Sequence, residues 1–414
     1  MKTSLEEAVK LHAQPFSSVE DLTPLLEAIG DAKFVLLGEA THGTSDFYTW
    51  RAALTKKLIQ EKGFSLIAIE GDWPSAQRVN HYIKNFSEEE KQPREVLQAF
   101  KRWPTWMWAN EEIADFIYWL KMHNQKNREK VGFYGIDVYS LWESLEEIVR
   151  RLTEIHPSGE DIALAKKTLS CFEPFNRVPE NYSATAADYS KACEKDVYRL
   201  LASIRSNKDL YKDSYESDLD LKINALVAKN AEDYYRALTK SDEISWNIRD
   251  EHMAEAINEV CDHHGRQAKI IVWEHNTHIG AANATDMKNE GMTNVGQILR
   301  EQNCAEDVYA VGFGTHSGTV IAAHSWEEPY EKMKIPPAKP YTWEDLLHQA
   351  DASDKFLLFH PQNFTLFDRW VGHRAIGVVY NPEFESYGNY VHSKMSQRYD
   401  AFIFIDRTHA LSPL

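Results

Sequence analysis

Glu39 and His42 stand three residues apart in the turn "GEATHG", between the apolar run "FVLL" and a helical stretch. A carboxylate and an imidazole at the edge of a core are costly unless they are paired or used. At this spacing they can form a dyad, in which the carboxylate holds the ring and the imidazole takes a proton from water. A second imidazole could then stabilise developing charge or protonate a leaving group. The stretch "WEHNTH" offers Glu274, His275 and His278 for that role. Two histidines three apart, with carboxylates nearby, can equally ligate a metal. Further polar residues close other apolar runs: Glu70 and then Asp72 after "LIAI", Asp137 in "FYGID", Thr315 and His316 after "VYAVGFG". Arg51, one helix beyond the first turn, reads as a partner for Glu70 or a substrate oxygen, or as a solvated helix arginine. Asp137 reads as well as a helix cap, and His316 as an ordinary loop histidine. For Glu39, His42, Glu70, His275 and His278 together, the alternative to a site is a purely architectural ion network. Clustered titratable groups favour the site.

The elements that must position these residues follow from the apolar patterning. Strands are predicted at "KFVLLG", "SLIAIEG", "VGFYGID", "AKIIVWE", "VYAVGFG", "KFLLFH", "AIGVVY" and "AFIFID". Most are continuous apolar runs, as in strands buried on both faces, so the expected fold is α/β with a mostly parallel central sheet flanked by helices. In such sheets ligands bind beyond the carboxyl ends of the strands, where the polar residues above fall. A helix is predicted from a Thr44 or Ser45 cap to Gly63, and another over "ANEEIADFIYWLKMHNQ". No glycine occurs between Gly159 and Gly265, and residues 181–264 are charged and helical in period. They read as an all-helical insertion shaping the cleft, within a catalytic core made of 1–180 and 265–414. The stretch from Trp326 to Pro340 reads as a proline-rich surface loop.

The chain has 414 residues and a formal net charge of −17, which argues against nucleic acid and anionic membranes as partners. No apolar stretch approaches the ~20 residues of a membrane span, and the N-terminus reads as a short amphipathic helix rather than a signal peptide. Cys171, Cys193, Cys261 and Cys304 are widely spaced, which suggests reduced thiols and a cytoplasmic protein. There is no GxSxG elbow, no P-loop, no GxGxxG after a strand and no HExxH.

The motifs "LGEATHG" with Arg51 after it, "IAIEGD", "FYGID" and "VWEHNTHIG", in that order, resemble the erythromycin esterase family. The resemblance runs through nearly the whole chain. It implies an α/β core with helical additions and a deep cleft, and metal-independent hydrolysis of an ester by water that a histidine activates. It places the family's first-motif acid and histidine on Glu39 and His42, its arginine on Arg51, its second-strand glutamate on Glu70 and its histidine pair on His275 and His278. Glu274 and the aromatic, acidic stretches "EGDWPSAQRVN" and "WPTWMWANEE" depart from a macrolide-hydrolysing pattern, which bears on the substrate and not on the chemistry.

The expectation is therefore a hydrolase that cleaves a bulky or cyclic, lactone-type ester without a cofactor or metal. His42 would be the base, Glu39 its orienting acid and His275 the electrophilic partner, with His278, Glu70 and Arg51 shaping the site. Two alternatives stay open: a metal-dependent hydrolase using the same cluster, and a small-molecule-binding protein with an inactive site.

Overall fold

A computed structural model describes residues 4–86, 92–155, 159–213 and 215–414, with the side chains of 185–192 left aside. Its strands are β1 (Gln14–Pro15), β2 (Phe34–Leu37), β3 (Leu66–Asp72), β4 (Gly132–Asp137), β5 (Ile270–Trp273), β6 (Val308–Ala322), β7 (Glu331–Ile335), β8 (Lys355–Leu358), β9 (Trp370–Arg374), β10 (Tyr390–Lys394) and β11 (Ala401–Thr408). The chain divides into two compact units. The first comprises Met1–Ile67, Glu90–Val131 and Ala268–Leu414, and the second Ala68–Glu89 and Gly132–Gln267.

In the first unit the strand order is β1-β8-β11-β6-β2-β5, with β7 also on β6. Strands β11, β6, β2 and β5 run parallel, while β8 and β1 continue the sheet antiparallel at one side and β7 pairs antiparallel with the far half of β6. The α/β fold with a largely parallel centre is thus as expected. Every residue of β2 and β5 is buried, which explains their unbroken apolar composition. Strands β9 and β10 form a separate antiparallel pair. The helix Ser45–Lys62 starts at Thr44 and ends at Gly63, whose left-handed φ of 73° suits a residue without a side chain.

Two sequence expectations are corrected in this unit. "AIGVVY" is not a strand: Ile376 and Val379 make isolated bridges to Thr41 and Ala323. Its apolar character comes from packing, since Ile376 and Tyr380 join Val320, Ala322, Met333 and Ile335 in a buried cluster. The stretch from Trp326 to Pro340 is not all loop, because it contains β7, where Met333 and Ile335 face that cluster and Glu331, Lys332 and Lys334 face solvent.

The second unit holds β4, most of β3 and a set of helices. Within residues 181–264 lie most of the helix Pro179–Ser206 and all of Ser217–Ala237 and Asp242–His264. Helices also precede that stretch, at Leu141–Ile155 and Glu160–Phe172. Cys171 and Cys193 are joined by a disulfide between two of these helices, while Cys261 and Cys304 are free. This corrects the expectation of four reduced thiols and removes cysteine usage as an argument for the cytoplasm. Among the described residues, no helix is long and apolar enough to cross a membrane.

Candidate active site

The register of the sheet brings the two histidine motifs together. Leu37 of β2 lies opposite Trp273 of β5 in parallel pairing, so Glu39 and His275 each leave the sheet two residues beyond a matched pair. The backbone N–H of Asn276 then donates to the carbonyl of Glu39 at 2.9 Å and ties the two turns to each other. Two glycines of the first motif are required by close packing. A Cβ on Gly38 would lie 2.1 Å from the Asn276 side chain, and one on Gly43 would lie 1.9 Å from the carbonyl of Ile321.

Glu39 is almost fully buried and serves two cations or potential cations at once. Its Oε1 accepts from Nδ1 of His42 at 2.9 Å, and its Oε2 accepts from Nη2 of Arg51. The bond to Glu39 assigns the Nδ1 proton of His42, so in the neutral ring Nε2 carries the lone pair. Tyr48 donates to the carbonyl of His42 at 3.0 Å and fixes the turn from below. Arg51 is wholly buried, with its guanidinium 4.5 Å from the ring centre of Tyr48 and 4.8 Å from that of Trp273. Its Nε and Nη1 have no hydrogen-bond partner among the described residues, so Glu39 is its counter-ion. Arg51 is therefore a buried ion-pair partner of Glu39 and not a solvated helix arginine. It holds the Glu39 carboxylate in place.

The ring of His275 lies beside that of His42, with centres 4.8 Å apart and planes 40° from parallel. His275 caps the short helix Asn276–Ile279, and its Nδ1 accepts from the backbone N–H of Thr277 at 3.3 Å and lies 2.8 Å from the Thr277 hydroxyl. An Nδ1 that accepts leaves the proton of the neutral ring on Nε2. The two imidazoles thus take opposite tautomers, one with an Nε2 acceptor and the other with an Nε2 donor. His278 is buried in the same short helix, and its backbone N–H donates to the carbonyl of His275 at 2.9 Å. Glu274 is fully buried beside them.

Glu70 belongs to the second unit, at the carboxyl end of β3. Its Oε1 accepts from Nη2 of Arg249 at 2.7 Å. Arg249 also donates to both oxygens of Asp137, from Nε at 2.9 Å and from Nη2 at 2.7 Å. Burial disfavours the charge of Arg249, but Asp137, Tyr139 and Glu70 together hold its pKa well above the ordinary value. Asp137 is thus no simple helix cap. Sequence reasoning missed Arg249, which reaches Glu70 and Asp137 from the helix Asp242–His264. The available signal was polar residues on the buried side of that helix, where Asp250 and His252 are also enclosed.

His316 lies inside β6 rather than after it. Among the described residues, the one group of three or more metal-type side chains with donor atoms mutually in reach is His316, His348 and Asp406, which includes none of the expected site residues.

The erythromycin esterase family model matches residues 59–408, so the first motif with Arg51 lies just before the matched segment. The Bacillus subtilis (strain 168) protein named "Putative hydrolase YbfO" is 22% identical over 96% of this chain and 90% of its own length. Erythromycin esterase type II of Escherichia coli is 30% identical over a shorter stretch, 30% of this chain and 28% of that protein. Among solved structures, a succinoglycan biosynthesis protein superposes with a TM-score of 0.81 at 20% identity, over 99% of this chain and 97% of the other. The erythromycin esterase EreC, in an open conformation, superposes with a TM-score of 0.67 at 16% identity, over 95% and 96%. The structural likenesses speak to the fold, and the match over most of the chain speaks to descent: the chain belongs to the erythromycin esterase family and is a hydrolase acting on ester bonds.

Proposed function

We propose that the chain hydrolyses a bulky or cyclic ester, of the lactone type, by direct attack of water that His42 activates. The observation that carries this reading is the opposed pair of tautomers. The Glu39 carboxylate holds the Nδ1 proton of His42, leaving Nε2 to take a proton from water. The Thr277 N–H occupies Nδ1 of His275, leaving an Nε2–H to donate to the oxyanion that forms when water adds to the carbonyl. Collapse of that adduct would return the proton from His42 to the departing alkoxide. Arg51 acts through Glu39, holding the acceptor in place behind the base.

Metal independence has support in the donor geometry. Both oxygens of Glu39 are engaged, one by His42 and one by Arg51, and Nδ1 of His275 is engaged by Thr277. A bulky or cyclic substrate is proposed from the family and from the Escherichia coli relative, a named erythromycin esterase. Arg249, on the helix Asp242–His264, fixes Glu70 and Asp137 within the second unit. The test is a panel of macrolides, simpler lactones and aryl esters, with and without chelator. Chelator-resistant hydrolysis of a lactone or macrolide that is lost in His42→Ala is expected. Turnover confined to small acyclic aryl esters would overturn the substrate class, and loss of turnover with chelator would overturn the metal-free mechanism.

A further inference from the structure

A second group of titratable side chains shares no residue with the ester-hydrolysis set. Strands β6 and β11 run parallel, with Ile405 opposite Thr315 and Arg407 opposite Ser317, which sets Asp406 beside His316. Side chains alternate along a strand, so these two share a face of the sheet. The helix Trp343–Ala350 adds His348, whose Nδ1 lies 2.6 Å from Oδ1 of Asp406. The rings of His316 and His348 stack with centres 3.7 Å apart and planes 5° from parallel. One donor atom from each of the three residues lies within 4.8 Å of the others.

Two imidazoles and a carboxylate are a donor set for a first-row divalent ion of the zinc type. With bonds of about 2.0–2.2 Å the donors of a tetrahedral ion sit roughly 3.4 Å apart, so closure by at most about 1.4 Å from the 4.8 Å limit completes the set. Partial exposure, 34% for the His348 side chain and 19% for Asp406, leaves an entry path and room for a fourth, exchangeable ligand. The surrounding charge suits a cation. Asp345 adds negative charge nearby. The Arg374 charge near His316 is matched by its ion pair with Glu385. A stacked pair with one hydrogen bond would serve packing alone, but packing needs no second titratable ring at the carboxylate.

We propose that His316, His348 and Asp406 form a divalent transition-metal site that clamps the helix Trp343–Ala350 to β6 and β11, independent of the ester-hydrolysis residues. The test uses the full chain without a histidine tag, stripped with chelator and titrated with Co2+ and then Zn2+. One equivalent of Co2+ should give a visible d–d band, displaced by Zn2+, and Zn2+ should raise the melting temperature by mass action. His348→Gln and Asp406→Asn should each weaken binding by at least about tenfold and abolish the metal-induced shift, whatever the loss of the His348–Asp406 hydrogen bond does to the metal-free melting temperature. His275→Ala should bind as the parent does. Absence of the band in folded protein would overturn the proposal. So would binding that survives in both variants, or a band lost in His275→Ala instead, which would put the ion at the hydrolytic cluster.

Discussion

Glu39→Gln is a nearly isosteric change that removes one negative charge from a fully enclosed position. The carboxylate faces two donors, Nη2 of Arg51 and Nδ1 of His42. The amide keeps one acceptor and turns an NH2 toward the other partner. Arg51 has no exposed surface, lies between the Tyr48 and Trp273 rings and finds no second acceptor among the described residues for Nε or Nη1. Removing one partner of a buried pair typically costs about 3–5 kcal/mol, because the other charge is stranded. Replacing both partners by neutral groups is far less costly. The variant Glu39→Gln should therefore lose about 3–5 kcal/mol, and Glu39→Gln/Arg51→Met should recover much of it, since the methionine would sit against the same aromatic rings. Chemical denaturation of the parent, both single variants and the double variant closes the cycle. A single-variant cost below about 1 kcal/mol, with effects additive within about 0.5 kcal/mol, would show that the pair is uncoupled and the argument wrong.

Three further outcomes are expected. His275→Ala should lower kcat much more than it raises KM, because its Nε2–H is engaged chiefly by the oxyanion; a pure KM effect in steady-state kinetics would assign it to substrate binding. Exchange of residues 181–264 for the block of a macrolide-hydrolysing relative should change the substrate profile, and an unchanged profile in a folded chimera would remove the block from specificity. Burial lowers the pKa of His252 to about 4, so between the unfolded value near ~6.5 and about 4 the unfolded chain binds the extra proton. Stability should then fall as pH drops from ~6.5 to about 4, and this slope should flatten in His252→Gln when denaturation midpoints are followed against pH.

Much of the first motif's role was legible because strand and turn chemistry coincide there. The apolar run "FVLL" announces β2, and Gly38 and Gly43 bracket the acid and the histidine. "IIVW" announces β5 in the same way, and parallel pairing of the two strands makes the meeting of Glu39 and His275 a matter of register. What the sequence hid is tertiary. Nothing local distinguishes Arg51, which ends up enclosed between two aromatic rings, from a solvated helix arginine. Arg249 lies 112 residues from Asp137 and 179 from Glu70, so only folding reveals their bridge. "AIGVVY" shows the reverse error, an apolar run that is buried by packing with little backbone pairing. "EKMKI" alternates as an edge strand should, but flanking prolines and charge mask it.

The central claim is that the Nε2 of His42 takes the proton from water. The most direct measurement is the pH dependence of kcat/KM for the parent and for His42→Ala, on whichever ester the panel shows to be hydrolysed. The parent rate should rise with pH through one imidazole titration and then level, since the base must be neutral to act. His42→Ala should fold normally, lose about 10²–10⁴-fold in kcat and lose that rising limb. A folded His42→Ala protein with near-parental kcat and the same pH profile would contradict the account.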